Sequence, residues 1–218
     1  MERLARGGAA AAGAAAALLR EPERSGEQAV ARGMPQYLKL FESARDGQVA
    51  PEIAPIPEDQ AARAHNVKAG IYFLDSNLSG ICEIPDGAWT AKEHPEQRYA
   101  VVILNEFAKA PEQGTLEAGW ITGTQGARAE LRAAEVAVVT AGYIRNLGFS
   151  ARAHFAGASE VDMNRLAVHA GIALEKDGVL TNPFTGSGFR LAVVTTHALF
   201  NSVMFGLQWL SELSGPAP

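Results

Sequence analysis

The chain has 218 residues and a mass of 23.0 kDa, enough for one full domain and too few for two comfortable ones. Its net charge of −5, with no cluster of basic residues interleaved with aromatics, argues against nucleic-acid binding. Its single cysteine, Cys82, excludes an intramolecular disulfide, a cysteine-based zinc site and an iron–sulfur cluster held by this chain alone.

The first 33 residues differ in composition from the rest. Residues 7–19 are almost all alanine and glycine, and the charged stretch 20–24 follows. The apolar run is too short to span a bilayer, and it lies too far from a small-residue cleavage site for a signal peptide. We expect residues 1–33 to be a disordered extension, or to precede the true start at Met34, and residues 34–218 to form one domain.

The first half of the domain predicts one helix and two strands. Glu58 and Asp59 lie in the predicted first turn of the helix, where the helix dipole favours carboxylates. One apolar face follows at spacings of three and four, formed by Ala64, Val67, Ile71, Leu74 and Leu78. Residues 80–84 predict a strand, and 98–104 predict a strand that is buried on both faces.

The second half alternates helices and strands. A helix is predicted over 127–147, with Arg145 suited to the dipole of its last turn and Gly148 as a left-handed cap. Apolar and polar residues alternate over 149–155, which predicts a half-exposed strand with His154 on its polar face.

A third helix is predicted after Ser159 as N-cap, with Asp162 three residues later. Its inward side chains are Leu166, Ala167 and Ala170. Strand-like residues 179–183, a loop and a strand over 189–196 follow. These elements predict a mixed α/β (α+β) fold with a layered core.

No residue pattern specifies a catalytic site. The histidines (His65, His94, His154, His169 and His197) show no close spacing of metal ligands, and His169 is expected to be a half-buried polar residue. The segment 186–188 (GSG) precedes a strand rather than a helix, so it predicts a tight turn and neither a phosphate loop nor a nucleophile elbow. Cys82 is expected to be an unreactive core thiol.

Four blocks carry a resemblance to a known family. They are 137–148 (AVVTAGYIRNLG), 164–172 (NRLAVHAGI), 178–184 (GVLTNPF) and 189–196 (FRLAVVTT). In this order they resemble the corrinoid-binding domain of reductive dehalogenases, and they are similar to that of epoxyqueuosine reductases. The similarity spans residues 127–196, with a looser match over 66–89.

The resemblance implies a nitroreductase-like layered sandwich that cradles cobalamin through backbone groups. In the family, electrons arrive through iron–sulfur clusters that cysteines bind downstream of this block. If a cofactor is retained, the matching positions that contact it are Gly171, Leu180, Thr181, Asn182, Phe184, Gly186 and Arg190. Tyr143 is a candidate proton donor, although a tyrosine beside Ile144 on a helix is more typical of a core residue.

Two features depart from the family pattern. Residues 197–213 contain no cysteine and instead predict an apolar helix face, formed by Leu199, Val203, Leu207 and Leu210. The family's Ala-Gly-Leu-Gly is replaced by Ala170–Ala173, and the lost glycine removes room for a flat cofactor. Together with the sequence of residues 34–42, these features resemble the degenerate N-terminal module that some soluble reductive dehalogenases carry beside their catalytic core.

Two functions follow from this resemblance. The first is a module that binds neither iron–sulfur clusters nor another cofactor and is not catalytic alone. Such a module packs on a catalytic dehalogenase domain or forms a homo-oligomer. The alternative is an oxidoreductase that binds cobalamin or FMN and receives electrons from a separate protein. An unrelated domain is a third possibility. We expect a cytoplasmic protein with neither nucleic acid nor membrane as a partner.

Overall fold

The computed structural model describes residues 29–198 except 116 and 122. The helices are α1 (Ala29–Ala44), α2 (Gln60–Phe73), α3 (Ala118–Ile121), α4 (Gln125–Asn146) and α5 (Met163–His169). The strands are β1 (Leu78–Glu83), β2 (Tyr99–Glu106), β3 (Ala151–His154), β4 (Leu174–Lys176), β5 (Val179–Thr181) and β6 (Phe189–Thr196). Of the predicted extension 1–33, residues 1–28 lie outside the described residues, and residues 29–33 form the start of helix α1. The predicted apolar face at 199–210 also lies outside the described residues.

Four strands form one antiparallel sheet in the order β1-β2-β6-β3. Strand β2 is buried at every position except Glu106, as its continuous run of β-branched and apolar residues predicts. Strands β4 and β5 form a separate hairpin. The prediction of a mixed α/β fold is therefore confirmed.

Both faces of the sheet are covered because alternate strand residues point to opposite sides. On one face, Val101 and Ile103 pack in a core with side chains of α2 and α4. On the other, Val102 and Leu104 pack in a second core with α5. None of the helices within residues 29–198 is long and apolar enough to cross a lipid bilayer.

Helix α2 is bounded by an aspartate cap before its first residue and by a turn at Asp75 after its last. The side chain of Asp59 is the N-cap and accepts hydrogen bonds from the backbone N–H groups of Ala61 and Ala62. The helix ends at Phe73, and Asp75 then takes a positive φ of 60°. The prediction of Leu78 as part of this helix face is wrong, because the turn at Asp75 redirects the chain and Leu78 opens strand β1.

Helix α4 ends at a close approach of two backbone segments. Gly148 has a φ of +91°, and a Cβ there would lie 2.7 Å from the carbonyl oxygen of Glu52, so the predicted glycine cap is confirmed. Arg145 is buried and donates to the carbonyl oxygen of Ala151 at 2.9 Å. This arginine therefore ties the helix to strand β3 in addition to lying at the negative end of the dipole.

Helix α5 starts later than its sequence suggests. Asp162 is the N-cap and accepts from the backbone N–H of Arg165 at 3.0 Å. The prediction of Ser159 in that role is wrong, because its hydroxyl donates to the carbonyl oxygen of Val161 and Val161 forms a β-bridge with Trp89. The three side chains predicted to point inward are buried, as expected: Leu166, Ala167 and Ala170.

Candidate functional site

A cleft of about 300 Å³ lies beside strand β1, which is an edge strand of the main sheet. It brings together three residues that the family resemblance selected, Gly171, Asn182 and Phe184. The other lining residues come from α2, β1 and the end of α5: Lys68, Tyr72, Leu78, Ser79 and Ile172. The cleft thus forms where the turn at 182–186 meets helix α2.

Asn182 builds the wall of this cleft. Its side-chain nitrogen donates to the carbonyl oxygen of Ile172 at 2.7 Å, and its side-chain oxygen accepts from the backbone N–H groups of Phe184 and Thr185. Backbone hydrogen bonds in both directions join Asn182 to Gly186, whose φ is +61°. The predicted tight turn at 186–188 is therefore part of a closed loop, and the polar atoms of Asn182 are already engaged.

Two polar side chains and two aromatic rings define the chemistry of the cleft. The hydroxyl of Ser79 is buried and has no hydrogen-bond partner among the described residues. Burial lowers the pKa of the Lys68 ammonium group. Tyr72 is 46% exposed and Phe184 is 71% exposed, so apolar rings form its rim. The exposed rings suit a flat ligand or an apolar partner surface.

The other residues that the resemblance selected do not line this cleft. Leu180 lies in a separate cleft of about 360 Å³ beside α5. Thr181 donates through its hydroxyl to the carbonyl oxygen of Leu174 within the hairpin. The Arg190 guanidinium stacks on the ring of Phe107 at 4.8 Å and lies 3.7 Å from a carboxylate oxygen of Glu130. The resemblance therefore selects residues that this chain places at several different surfaces.

Tyr143 belongs to neither the core nor this cleft. Its side chain is 42% exposed and lines a shallow apolar groove with Ile56, Leu147, Phe149 and other residues near the last described position, Ala198. The interpretation of Tyr143 as a core residue is wrong, because the exposed side of α4 carries it. The lining of the groove also includes two polar residues, Arg63 and Asn66.

The titratable residues that could carry chemistry are mostly structural. Burial raises the pKa of the Cys82 thiol to about 12, and its sulfur contacts the carbonyl oxygen of Leu166 at 3.8 Å, so the expected unreactive core thiol is confirmed. His169 is exposed rather than half-buried, because it ends α5 on the solvent side. Within residues 29–198, apart from 116 and 122, no three His, Cys, Asp or Glu side chains are placed to hold a metal ion.

His154 is completely buried, so its prediction on a polar strand face is wrong. The reason is the loop at 155–161, which folds over strand β3 and covers the ring. Its Nδ1 accepts from the backbone N–H of Glu160 at 3.2 Å, and its Nε2 lies 2.8 Å from the hydroxyl of Thr195. Burial lowers the pKa of His154 to about 4.

The residues that the resemblance selected do not fit cobalamin in this structure. Ligand pockets for drug-sized molecules span roughly 300–1,000 Å³, and a corrin ring with its side arms exceeds a drug-sized molecule. The cleft beside β1 is at the lower limit of that range. Asn182 makes its hydrogen bonds internally, and Leu180 and Arg190 face other surfaces. We therefore derive no reaction step through this group.

Comparisons with known proteins relate the chain to one group of enzymes. No protein-family model matches the sequence, and no curated protein matches it. Among solved structures, the catabolic reductive dehalogenase NpRdhA is 41% identical with a TM-score of 0.75, over 83% of this chain and 26% of that one. A reductive dehalogenase whose structure suggests a mechanism for B12-dependent dehalogenation is 42% identical, with a TM-score of 0.75 and the same coverage.

An epoxyqueuosine reductase bound to a tRNA stem loop is more distant. It is 13% identical with a TM-score of 0.46, over 64% of this chain and 46% of that one. By contrast, the identity to the reductive dehalogenases extends over most of this chain, although the chain spans only about a quarter (26%) of their length. The resemblance to reductive dehalogenases found in the sequence is thus confirmed, and the chain is similar to one segment of those proteins.

Proposed function

We propose that this chain is a reductive-dehalogenase-like module with a nitroreductase-like layered core. In this proposal it holds no iron–sulfur cluster, is not catalytic alone, and packs on a catalytic dehalogenase domain or on a second copy of itself. The observation that carries the proposal is the match at 41% identity over 83% of this chain but only 26% of the relative. A segment of that size supplies one structural unit of a larger enzyme.

The cysteine content supports a role without electron transfer of its own. Protein-bound iron–sulfur clusters are held mainly by cysteine thiolates, four for the common cluster types. This chain has one cysteine, and Cys82 is 4% exposed with a raised pKa. Electrons for any reaction at this domain would therefore have to come from outside these 218 residues.

The surface around the cleft beside β1 supports the packing role. Tyr72 and Phe184 line the cleft beside the edge strand β1, and Phe184 is 71% exposed. Phe73, which follows Tyr72 at the end of α2, is 86% exposed. Large exposed aromatic side chains are enriched where proteins contact one another. The same surface carries the alternative proposal, because the aromatic rim also suits a flat cofactor such as FMN.

Association is tested by coexpression with the rest of the related enzyme. The full chain is produced together with reductive dehalogenase NpRdhA from which the matching quarter has been deleted, and the complexes are sized by light scattering after gel filtration. The proposal expects a one-to-one complex, or a homo-oligomer of this chain, and the double variant Phe73→Ser and Phe184→Ser should weaken it. The matched control is Val139→Ser, which changes an exposed apolar residue of α4. A monomer that forms neither complex contradicts the packing role.

A further inference from the structure

The shallow groove that Tyr143 lines lies between helices α2 and α4, and it shares no lining residue with the cleft beside β1. Helix α2 supplies Arg63, Asn66 and Val67, and α4 supplies Tyr143 and Leu147. Apart from Arg63 and Asn66, the side chains that line it are apolar or aromatic. The groove therefore favours an apolar occupant.

The apolar surface of the groove continues beyond its lining. Tyr143 is 42% exposed, and Leu147 and Phe149 are half-buried. Ile53 is 65% exposed, and it lies next to Leu147, because a Cβ at Gly148 would be 2.8 Å from the Ile53 Cα. Exposed apolar side chains that cluster in this way mark an interaction surface.

The chain itself supplies an occupant for this surface. Ala198 is the last described residue at this end of the chain, is 5% exposed and lines the groove, so the chain reaches residue 199 at the groove itself. The residues that follow predict one apolar helix face, formed by Leu199, Val203, Leu207 and Leu210. Within 199–213 the only charged residue is Glu212. This segment therefore has a strong tendency to bury its apolar face.

The dimensions of the segment agree with those of the groove. The stretches 63–67 of α2 and 143–147 of α4 that form its two walls each span about 6 Å, at 1.5 Å per residue. Residues 199–207 span about 12 Å in a helix, which is enough for their apolar face to cover both walls.

The covalent connection at Ala198 favours this segment over a separate molecule. A segment that is joined to its binding site by a short stretch of chain has an effective concentration on the order of millimolar. A second copy or another protein has to compete with that value at its own concentration. The segment that follows Ala198 is thus the occupant that the position of the groove selects.

We propose that residues 199–210 of this chain dock in the groove between α2 and α4 and bury their apolar face against Val67, Tyr143 and Leu147. This proposal does not depend on the function proposed above, because its surface and its occupant are both different from those of the packing role.

The test places a nitroxide spin label on the full chain at Gln208→Cys, on the polar side of the predicted helix. The label reacts only with this cysteine, because Cys82 is 4% exposed and has a pKa of about 12. The proposal expects the label to broaden the nitrogen-15 NMR signals of Asn66 and Tyr143 strongly. The signal of Leu180, which packs against the core on the other face of the sheet, should keep its intensity. The same sample with its label reduced gives the reference intensities.

Two matched variants of the labelled chain separate docking from mere proximity to Ala198. Val203→Ser with Leu207→Ser should weaken docking about a hundredfold, because burial of each apolar side chain favours the docked state by roughly tenfold. The broadening at Asn66 and Tyr143 should then fall to the level of a free chain end. Asn201→Ser with Glu212→Ser changes the polar side instead and should leave the broadening intact. Equal broadening in the two variants, or none at the groove in the labelled chain, would overturn the proposal.

A mixed sample distinguishes the chain's own segment from that of a second copy. Labelled chain without nitrogen-15 is combined with nitrogen-15 chain that carries no label. The proposal expects no broadening at Asn66 or Tyr143 in this mixture. Broadening there would assign the groove to a second copy and would overturn docking within one chain.

Discussion

Mild acid should destabilise this domain through His154, a residue buried under the loop that follows β3. Its ring is neutral in the folded state because Nδ1 accepts from the backbone N–H of Glu160 and therefore carries no proton. The protonated Nε2 then donates to the hydroxyl of Thr195, whose own proton goes to the side-chain oxygen of Gln97 at 2.5 Å. A second proton on Nδ1 would break the bond to Glu160 and leave a buried charge.

The size of the effect follows from the difference in pKa between the folded and unfolded states. The His154 pKa falls from 6.5 to about 4 on folding. Above pH 6.5 both states are neutral, and the residue contributes no pH dependence. As the pH falls below 6.5, the unfolded chain binds the proton first, so the free energy of unfolding decreases by about 1.4 kcal/mol per pH unit. The total loss approaches about 3 kcal/mol near pH 4.

The acidic partners around His154 lose their contribution at lower pH. Burial raises the pKa of the Asp46 carboxyl, but the hydrogen bond and charge of Arg152 lower it by more, so the net shift is downward. Burial likewise raises the pKa of the Glu160 carboxyl, and Arg152 and Arg45 together lower it by more. The stability that these carboxylates provide is present above their unfolded values of 3.8 and 4.5, and it is lost as the pH falls through their folded values. The window from pH 6.5 to about 5 therefore reports mainly on His154.

Urea unfolding across this window measures the effect directly. His154→Gln is the test variant, because glutamine can accept from Glu160 and donate to Thr195 without titrating in this range. His65→Gln is the matched control, because His65 is exposed on α2. We expect wild type and His65→Gln to lose stability in parallel as the pH falls, and His154→Gln to lose much less. Parallel curves for wild type and His154→Gln would refute this account of the buried ring.

Three further changes test other parts of the structure. Gly80→Ala should lower the free energy of unfolding by about 1–3 kcal/mol, because the new Cβ would lie 2.8 Å from the carbonyl oxygen of Ala170. The control Gly70→Ala, at an open position of α2, should be neutral or stabilising. Equal effects of the two substitutions in urea unfolding would contradict the close approach at Gly80. Asn182→Ala should lower the free energy of unfolding by about 1–3 kcal/mol in the same assay, because its side chain would lose its hydrogen bonds to Ile172 and Phe184. An unchanged urea midpoint would show that these hydrogen bonds do not stabilise the turn at 182–186. Cys82 should react with a thiol reagent only at the rate of unfolding, and rapid labelling of the folded protein would contradict its burial.

The periodic elements could be predicted because their residues carry the signal locally. The apolar run of β2 and the three- and four-residue spacing of α2 specify burial without reference to distant contacts. His154 shows where the alternation of a strand fails as a guide to burial, because the loop 155–161 and the Trp89 ring cover a position that alternation assigns to solvent. Leu78 fails for a related reason, since a helical spacing continues by chance across the turn at Asp75.

The candidate sites could be predicted only in part. The resemblance selected Gly171 and Asn182, which do meet in one cleft, but nothing in the local sequence marked Lys68 or Ser79. Those two residues are distant from the turn at 182–186 in the chain and reach it only because α2 and β1 pack beside it.

The most direct test of the central proposal is whether the full chain binds a cofactor alone. Hydroxocobalamin and then FMN are titrated anaerobically into the purified chain, while the visible spectrum and the melting temperature are recorded. Ligand at about a hundredfold excess over its dissociation constant would stabilise the fold by about 2.7 kcal/mol. The account of a non-catalytic module predicts no spectral change and no rise in melting temperature with either compound. A saturable spectral shift accompanied by a higher melting temperature would contradict it and would favour the cofactor-binding oxidoreductase.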